Sequence, residues 1–167
     1  MNRGNRAEMT GLDEQYAKNL SEMLNVYLAN LQIVSIKVRN FHWNVVGVDF
    51  LDFHKKLDKI YKHVEKEIDF VAERIKQLGY YPFASMKEYL QYSTIKEFPS
   101  KNYNTATIAF YIAEDFANTA KYLRVISETI LNSTDEDTKN HLGDALGFLE
   151  KYVWFFTAYL EKDDGTN

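Results

Sequence analysis

Apolar residues recur every three or four positions over long stretches of this chain, a spacing that places them on one face of an α-helix. Gly47 and Gly79 follow the first two stretches, and glycine readily takes the left-handed conformation beyond a helix C-terminus. We therefore predict helices over about residues 12–46 and 50–78. Their apolar stripes are Leu20, Leu24, Tyr27, Leu31, Val34, Val38 and Phe41, and Phe53, Leu57, Ile60, Val64, Ile68, Val71, Ile75 and Leu78.

Two further stretches carry the same pattern. The third is marked by Ala109, Ile112, Phe116, Leu123, Ile126 and Ile130, and the fourth runs from about Asp135 through Leu142, Leu146, Leu149, Val153, Phe156 and Leu160. The segment 83–100 reads as a long crossover in which SMKEYLQY forms a short helix. We predict an all-α four-helix bundle over 12–162, with the short helix between the second and third main helices and with tails at 1–11 and 163–167. Trp154 is expected in the core of this bundle.

The composition excludes several other classes of protein. With 7 glycines and 2 prolines in 167 residues, the chain lacks the turn residues of an all-β fold. Without cysteine it has no disulfides, thiolate zinc sites or cysteine nucleophiles. No apolar run follows Arg3 and Arg6, so we expect neither a secretory signal nor a membrane anchor, and a cytoplasmic location. The net charge of −4 does not favour binding to nucleic acid by the molecule as a whole.

Histidines and carboxylates near the first turn form the most informative pattern. His42 and His54 each lie six residues from Val48, so an antiparallel hairpin brings both imidazoles to a similar height. His54 and Asp58 are four residues apart, as are Asp69 and Glu73, and such pairs share one face of a helix and can hold one ion. Imidazole and carboxylate ligands without thiolate suit Fe(II), Mn(II) or Zn(II), and iron is our first choice.

One helix cannot bring both pairs to the same ion. Fifteen residues separate His54 from Asp69, about 22 Å along a helix, whereas a metal–ligand bond spans about 2 Å. A second copy of the chain, antiparallel across a two-fold axis, could supply the missing half. Trp43 directly follows His42 and is a candidate electron donor and radical trap.

The segment NFHWNVVGVDFLDFHKKLDKIYKHVEKEIDFVAERI resembles the signature of the Dps proteins, the miniferritins also called DNA-binding proteins from starved cells. The resemblance extends to DEDTKNHLGDALGFLEKYVWFF and so covers nearly the whole chain after the N-terminal tail. It implies a ferritin-like bundle assembled into a hollow dodecamer that oxidises Fe(II), preferentially with hydrogen peroxide, and stores the ferric product. The implied ferroxidase ligands are His42, His54 and Asp58 of one subunit and Asp69 and Glu73 of its neighbour.

Two features of that family match this sequence less closely. Acidic residues line three-fold pores in the family, and here Glu136, Asp137 and Asp144 are the candidates, although Asn140 stands where some relatives carry Asp. Many relatives bind DNA through a lysine-rich tail, whereas this N-terminus offers only two arginines. A DNA-coating protein associated with the nucleoid is therefore the alternative function, and structural zinc is the alternative occupant of the metal site.

The remaining candidates have structural readings. No histidine is preceded by Glu at the third position before it, so the E-x-x-H pairs of metal centres inside a single bundle are absent. His63 faces away from the proposed site and is expected to be structural or solvated, and His141 is expected at the surface or between subunits. Glu65 is a candidate for a salt bridge near the dimer axis.

Overall fold

Four long helices form the structure, a computed structural model that describes residues 6–161. The helices are α1 (Arg6–Met9), α2 (Glu14–Asn44), α3 (Phe50–Gln77), α4 (Met86–Tyr92), α5 (Thr105–Ile130) and α6 (Glu136–Leu160). Two short strands, β1 (Val45–Val46) and β2 (Tyr103–Asn104), complete the fold. The predicted four-helix bundle is confirmed, with α4 as the short helix in the crossover between α3 and α5.

Three of the four long helices in the described residues, α2, α5 and α6, begin at side chains that accept from their first free backbone N–H groups, whereas α3 lacks such a cap. Asp13, Asn104 and Asp135 accept from the N–H groups of residues 16, 107 and 138, at 2.8, 2.8 and 3.1 Å. Gly47 and Gly79 have φ angles of +124° and +96°, the left-handed region that the sequence predicts at both turns. Local sequence therefore determines most helix boundaries.

The pairing of β1 with β2 is not predicted by the sequence. The two strands are parallel, with Val45 opposite Tyr103. Because Val45 and Val46 are extended for this pairing, α2 ends at Asn44 and not at residue 46 as predicted. The pairing ties the end of the crossover to the turn between α2 and α3.

The apolar stripes of the long helices meet in a single core. Phe41 and Tyr27 of α2, Leu57 of α3 and Phe116 of α5 are among its largest buried side chains. Full burial of such a side chain contributes about 1.5–3 kcal/mol relative to exposure. This core fixes the orientation of α3, the helix that carries most of the candidate ligands.

The prediction that Trp154 lies in the core is wrong, because this side chain is 65% exposed. The buried residues of α6 include Leu149 and Phe156. At about 100° per residue, Trp154 points about 140° from Leu149 and about 160° from Phe156 around the helix. It therefore lies on the face of α6 opposite the core.

Part of the predicted N-terminal tail of residues 1–11 lies within the described residues. Residues 6–9 form the one-turn helix α1, in which Ala7 is buried, and the Arg6 guanidinium donates to the Lys76 carbonyl at 3.2 Å. Arg3 and the predicted tail at 163–167 lie outside the described residues. Over residues 6–161, no helix is both long and apolar enough to cross a membrane.

Candidate metal centre

His42 and His54 lie against each other at the turn between α2 and α3. Their rings stack with centroids 3.8 Å apart. The Nδ1 of His42 is 2.9 Å from the carbonyl oxygen of His54, and the Nδ1 of His54 is 2.9 Å from the carbonyl oxygen of His42. The predicted proximity of these two side chains is observed, and the hydrogen bonds that produce it are reciprocal.

This arrangement determines which ring nitrogen can bind a metal. A carbonyl oxygen can only accept, so Nδ1 carries the proton in both histidines and donates it. The lone pair of each neutral imidazole is then on Nε2, the nitrogen that is left for a metal ion. Backbone carbonyls commonly orient metal-binding histidines in this way.

Asp58 lies one helical turn after His54 and has both carboxylate oxygens engaged. Its Oδ1 accepts from the Tyr61 hydroxyl at 2.7 Å and its Oδ2 accepts from the Lys62 ammonium at 2.8 Å. The hydrogen bonds from Lys62 and Tyr61, with a smaller contribution from His42, lower the pKa of Asp58 below its ordinary value. Asp58 is therefore ionised at neutral pH and can serve as a hard anionic ligand.

Asp69 and Glu73 are exposed on α3 and do not join this cluster within one subunit. Among the described residues, no three His, Cys, Asp or Glu side chains are close enough to hold a metal ion. One chain thus stacks His42 on His54 and carries Asp58 one helical turn farther along α3, but within the described residues it does not gather three ligands around one point. Asp69 and Glu73 lie farther still along α3.

Two aromatic residues adjoin the histidines. Trp43 is 69% exposed, and nothing in the structure tests its predicted role as an electron donor. The ring of Tyr61 meets His42 edge-on, with centroids 5.4 Å apart, and its hydroxyl binds Asp58. Sequence reasoning missed Tyr61, although its position three residues after Asp58 on one helix was a usable signal.

The candidate pore residues lie on the first half of α6. Glu136 pairs with Lys139 at 3.0 Å, and Asp137 lies 3.4 Å from Arg74. Asp144 is exposed. A single subunit contains no three-fold axis, so their role in a pore stays a prediction.

The other two histidines pack on the bundle and do not join the candidate centre. His63 stacks on Phe148 with centroids 3.6 Å apart. The Nε2 of His141 is 2.8 Å from the buried Glu67 carboxylate, which also accepts from the Tyr27 hydroxyl at 2.9 Å. His141 therefore belongs to a hydrogen-bond network between α2, α3 and α6 that the sequence did not predict. Burial and the Glu67 charge raise the pKa of Tyr27 well above its ordinary value.

Glu65 forms a salt bridge inside its own subunit, with Arg39 of α2. Its predicted role at a dimer axis is not tested by one chain. The Arg39 guanidinium also lies over the Tyr61 ring, 5.1 Å from its centroid. Arg39 therefore holds Tyr61 in place beside the candidate centre.

Comparison with known proteins identifies the family. A family model for the ferritin-like domain matches residues 21–166. The chain is 33% identical over 139 residues to the "DNA protection during starvation protein" of Helicobacter pylori, covering 83% of this chain and 96% of that protein. It is 31% identical over 145 residues to the protein of the same name from Listeria monocytogenes, covering 84% of this chain and 91% of the relative.

Solved structures agree with these relatives. A Dps protein from Vibrio cholerae O1, described as a member of a superfamily of ferritin-like diiron-carboxylate proteins, superposes with a TM-score of 0.87 and 32% identity, covering 91% of this chain and 95% of that one. Antigen TpF1 of Treponema pallidum superposes with a TM-score of 0.86 and 30% identity, covering 90% and 96% of the two chains. The chain therefore belongs to the Dps family of miniferritins, within the ferritin-like superfamily.

Proposed function

We propose that this protein is an iron-storage ferroxidase. It oxidises Fe(II), preferentially with hydrogen peroxide, at sites shared between subunits, and it stores the ferric product inside a hollow dodecamer in the cytoplasm. Removing Fe(II) and peroxide together protects DNA and the cell from oxidative damage. The observation that carries the proposal is the stacked pair of histidines whose Nδ1 atoms are held by backbone carbonyls, which leaves both Nε2 atoms for a metal, with Asp58 one turn farther along α3.

The spacing along α3 supports a site completed by a second subunit. Asp58 and Asp69 lie equally far from the midpoint between residues 63 and 64, and so do His54 and Glu73. A two-fold axis at that height, with the two α3 helices antiparallel, sets Asp58 opposite Asp69 of the partner subunit and His54 opposite Glu73 of the partner subunit. One symmetry operation therefore satisfies both pairs and creates two equivalent sites.

The ligand set suits the proposed reaction. Two Fe(II) ions each lose one electron, and hydrogen peroxide takes both as its O–O bond breaks, so that its oxygen atoms end as hydroxide or water. Because both electrons go to one peroxide molecule, no hydroxyl radical is released. The carboxylates of Asp58, Asp69 and Glu73 favour the ferric product as hard anionic oxygen ligands.

Replacing His42 and His54 with glycine tests this function. We expect the variant to assemble like the wild type, as measured by light scattering, but to oxidise Fe(II) far more slowly after stoichiometric peroxide is added under anaerobic conditions. The matched control is His63→Ala, which removes an imidazole that packs on Phe148 and should leave the rate unchanged. An unchanged oxidation rate in the double glycine variant would contradict the assignment.

Metal entry and electron transfer form a second part of the proposal. Three copies of the acidic side chains on α6 would attract Fe(II) if they met at a three-fold axis, because the local negative charge is then tripled. These side chains are Glu136, Asp137 and Asp144. Trp43 is exposed and directly follows His42, and it would donate an electron when the site holds too little Fe(II) to reduce the oxidant completely.

Coating of DNA is the second candidate, and the names of the relatives, which refer to DNA protection, favour it. The net charge of −4 and the engagement of Arg6 with the Lys76 carbonyl argue against it. A gel-shift titration across salt concentrations decides, because phosphate-driven binding weakens steeply as salt rises. Structural zinc at the shared site is tested separately, by metal analysis of the purified protein.

A further inference from the structure

Asp58 is the one candidate ligand whose two oxygens both have partners from its own helix. Tyr61 donates to Oδ1 at 2.7 Å and Lys62 donates to Oδ2 at 2.8 Å. A carboxylate oxygen that holds an ammonium group does not accept a second cation at the same position without losing the first, because the two positive charges repel each other.

The two partners of Asp58 differ in how firmly they are held. The Tyr61 ring contacts His42, with centroids 5.4 Å apart, and lies under the Arg39 guanidinium at 5.1 Å, and its neutral hydroxyl can stay on Oδ1 when a metal binds. The Lys62 side chain is 60% exposed and forms an ion pair with Asp58. Lys62 can therefore leave more readily than Tyr61, which has two further contacts.

A second carboxylate is within reach of Lys62 when it leaves. Glu65 lies three residues farther along α3, and residues at that spacing are neighbours on a helix surface. Glu65 is half-exposed and carries its Arg39 contact on one oxygen. Lys62 thus stands between two acids, one of which belongs to the metal site and one of which does not.

We propose that Lys62 is a displaceable internal cation of the metal site, so that a divalent metal binds at Asp58 by exchanging with the Lys62 ammonium. This inference rests on the proposed function and deepens it. Lys62 keeps Asp58 neutralised and oriented before the metal arrives. Because an incoming ion must outcompete an ammonium group, monovalent cations are excluded while divalent ions enter. Lys62 is in this sense a positioning and selectivity residue.

The experiment measures binding of Co(II), an oxidation-resistant stand-in for Fe(II), to the assembled protein by calorimetry and visible absorption. An exposed ion pair contributes little free energy, so Lys62→Met should bind Co(II) only about twofold to fivefold more tightly than wild type. Lys62→Arg keeps a cation and should restore the wild-type affinity. The matched control is Lys59→Met, which removes the same charge from an exposed position of α3 whose side chain makes no hydrogen bond or ion pair with Asp58.

Two results would overturn the inference. One is an unchanged Co(II) affinity in Lys62→Met, and the other is an equal gain in Lys59→Met, which would show a general charge effect. The variant in which both His42 and His54 are glycine separates failure of the Lys62 exchange from failure of the proposed function. If that variant binds Co(II) as wild type does, the shared site itself is wrong. If it loses binding while Lys62→Met matches wild type, only the exchange by Lys62 is wrong.

Discussion

Tyr27→Phe tests whether the buried network between α2, α3 and α6 stabilises the bundle. Tyr27 is almost completely buried, and its hydroxyl donates to the Glu67 carboxylate at 2.9 Å. The other Glu67 oxygen meets His141 Nε2 at 2.8 Å. The phenylalanine variant keeps the ring and removes the hydroxyl, so one oxygen of a buried carboxylate loses its donor.

The expected cost follows from the charge of that acceptor. A hydrogen bond to a charged group contributes about 1.5–3 kcal/mol, and a loss of about 2 kcal/mol in a domain of this size lowers the melting temperature by about 4–8 °C. Replacing Glu67 as well, in Tyr27→Phe/Glu67→Met, removes the unpaired carboxylate. We expect this double variant to recover part of the loss, because apolar replacement of both partners is often close to neutral.

The assay is thermal unfolding followed by circular dichroism, at one protein concentration because the proposed assembly would contribute to stability. Tyr92→Phe is the control, since Tyr92 is exposed and stacks on Phe83 through its ring, which the substitution keeps. A Tyr27→Phe variant that melts within about 1 °C of wild type, well below the shift expected for this domain size, would refute the reasoning.

Three further predictions concern other parts of the fold. Asp135→Asn keeps a helix cap but removes the ion pair with Arg74, which spans 2.7 Å. Burial alone would raise the pKa of Asp135, but the hydrogen bonds from Arg74 and Thr138 outweigh burial and lower that pKa. The ion pair therefore stabilises the folded protein above the pKa that Asp135 has in the unfolded chain, and this stabilisation is lost as pH falls through the lower pKa of the folded state. Urea unfolding should show that Asp135→Asn loses about 3 kcal/mol of stability at neutral pH and less in acid. A loss independent of pH would contradict this. Tyr61→Phe should weaken Co(II) binding about tenfold, the lower end for a residue that orients a ligand, and unchanged affinity in calorimetry would exclude that role. Gly47→Ala should cost about 1–3 kcal/mol of stability. The cost comes from the positive φ alone, because an added Cβ would meet no atom within 4 Å. Gly143 is equally open but helical, so Gly143→Ala should stabilise the protein by about 0.5–1 kcal/mol, and equal melting temperatures of the two variants would refute this.

Helix positions could be predicted because each depends on neighbouring residues. The apolar stripe of α3 identifies the buried face, and Gly79 marks where that helix ends. Trp154 shows the limit of this reasoning, since it adjoins the stripe in sequence but points about 140° from Leu149 around the helix. The position of a residue next to an apolar stripe in the sequence does not show which face of the helix it occupies, whereas its angle around the helix axis does.

Contacts between distant segments could not be predicted from one sequence. The β1–β2 pairing joins Val45 to Tyr103, and Glu67 meets His141 from another helix. Such contacts depend on how helices rotate against one another, which local periodicity does not encode. The approach of His42 to His54 was predictable because a short, symmetric hairpin leaves little freedom, while the ligand roles of both residues stay predictions.

The most direct measurement is an anomalous difference map at the iron edge from crystals soaked in Fe(II) without oxygen. We expect a peak between subunits, beside the Nε2 atoms of His42 and His54 and the carboxylate of Asp58, and closed by Asp69 and Glu73 of the partner subunit. Absence of a peak between subunits, or a peak held entirely within one bundle, would contradict a site that two copies of the chain build together.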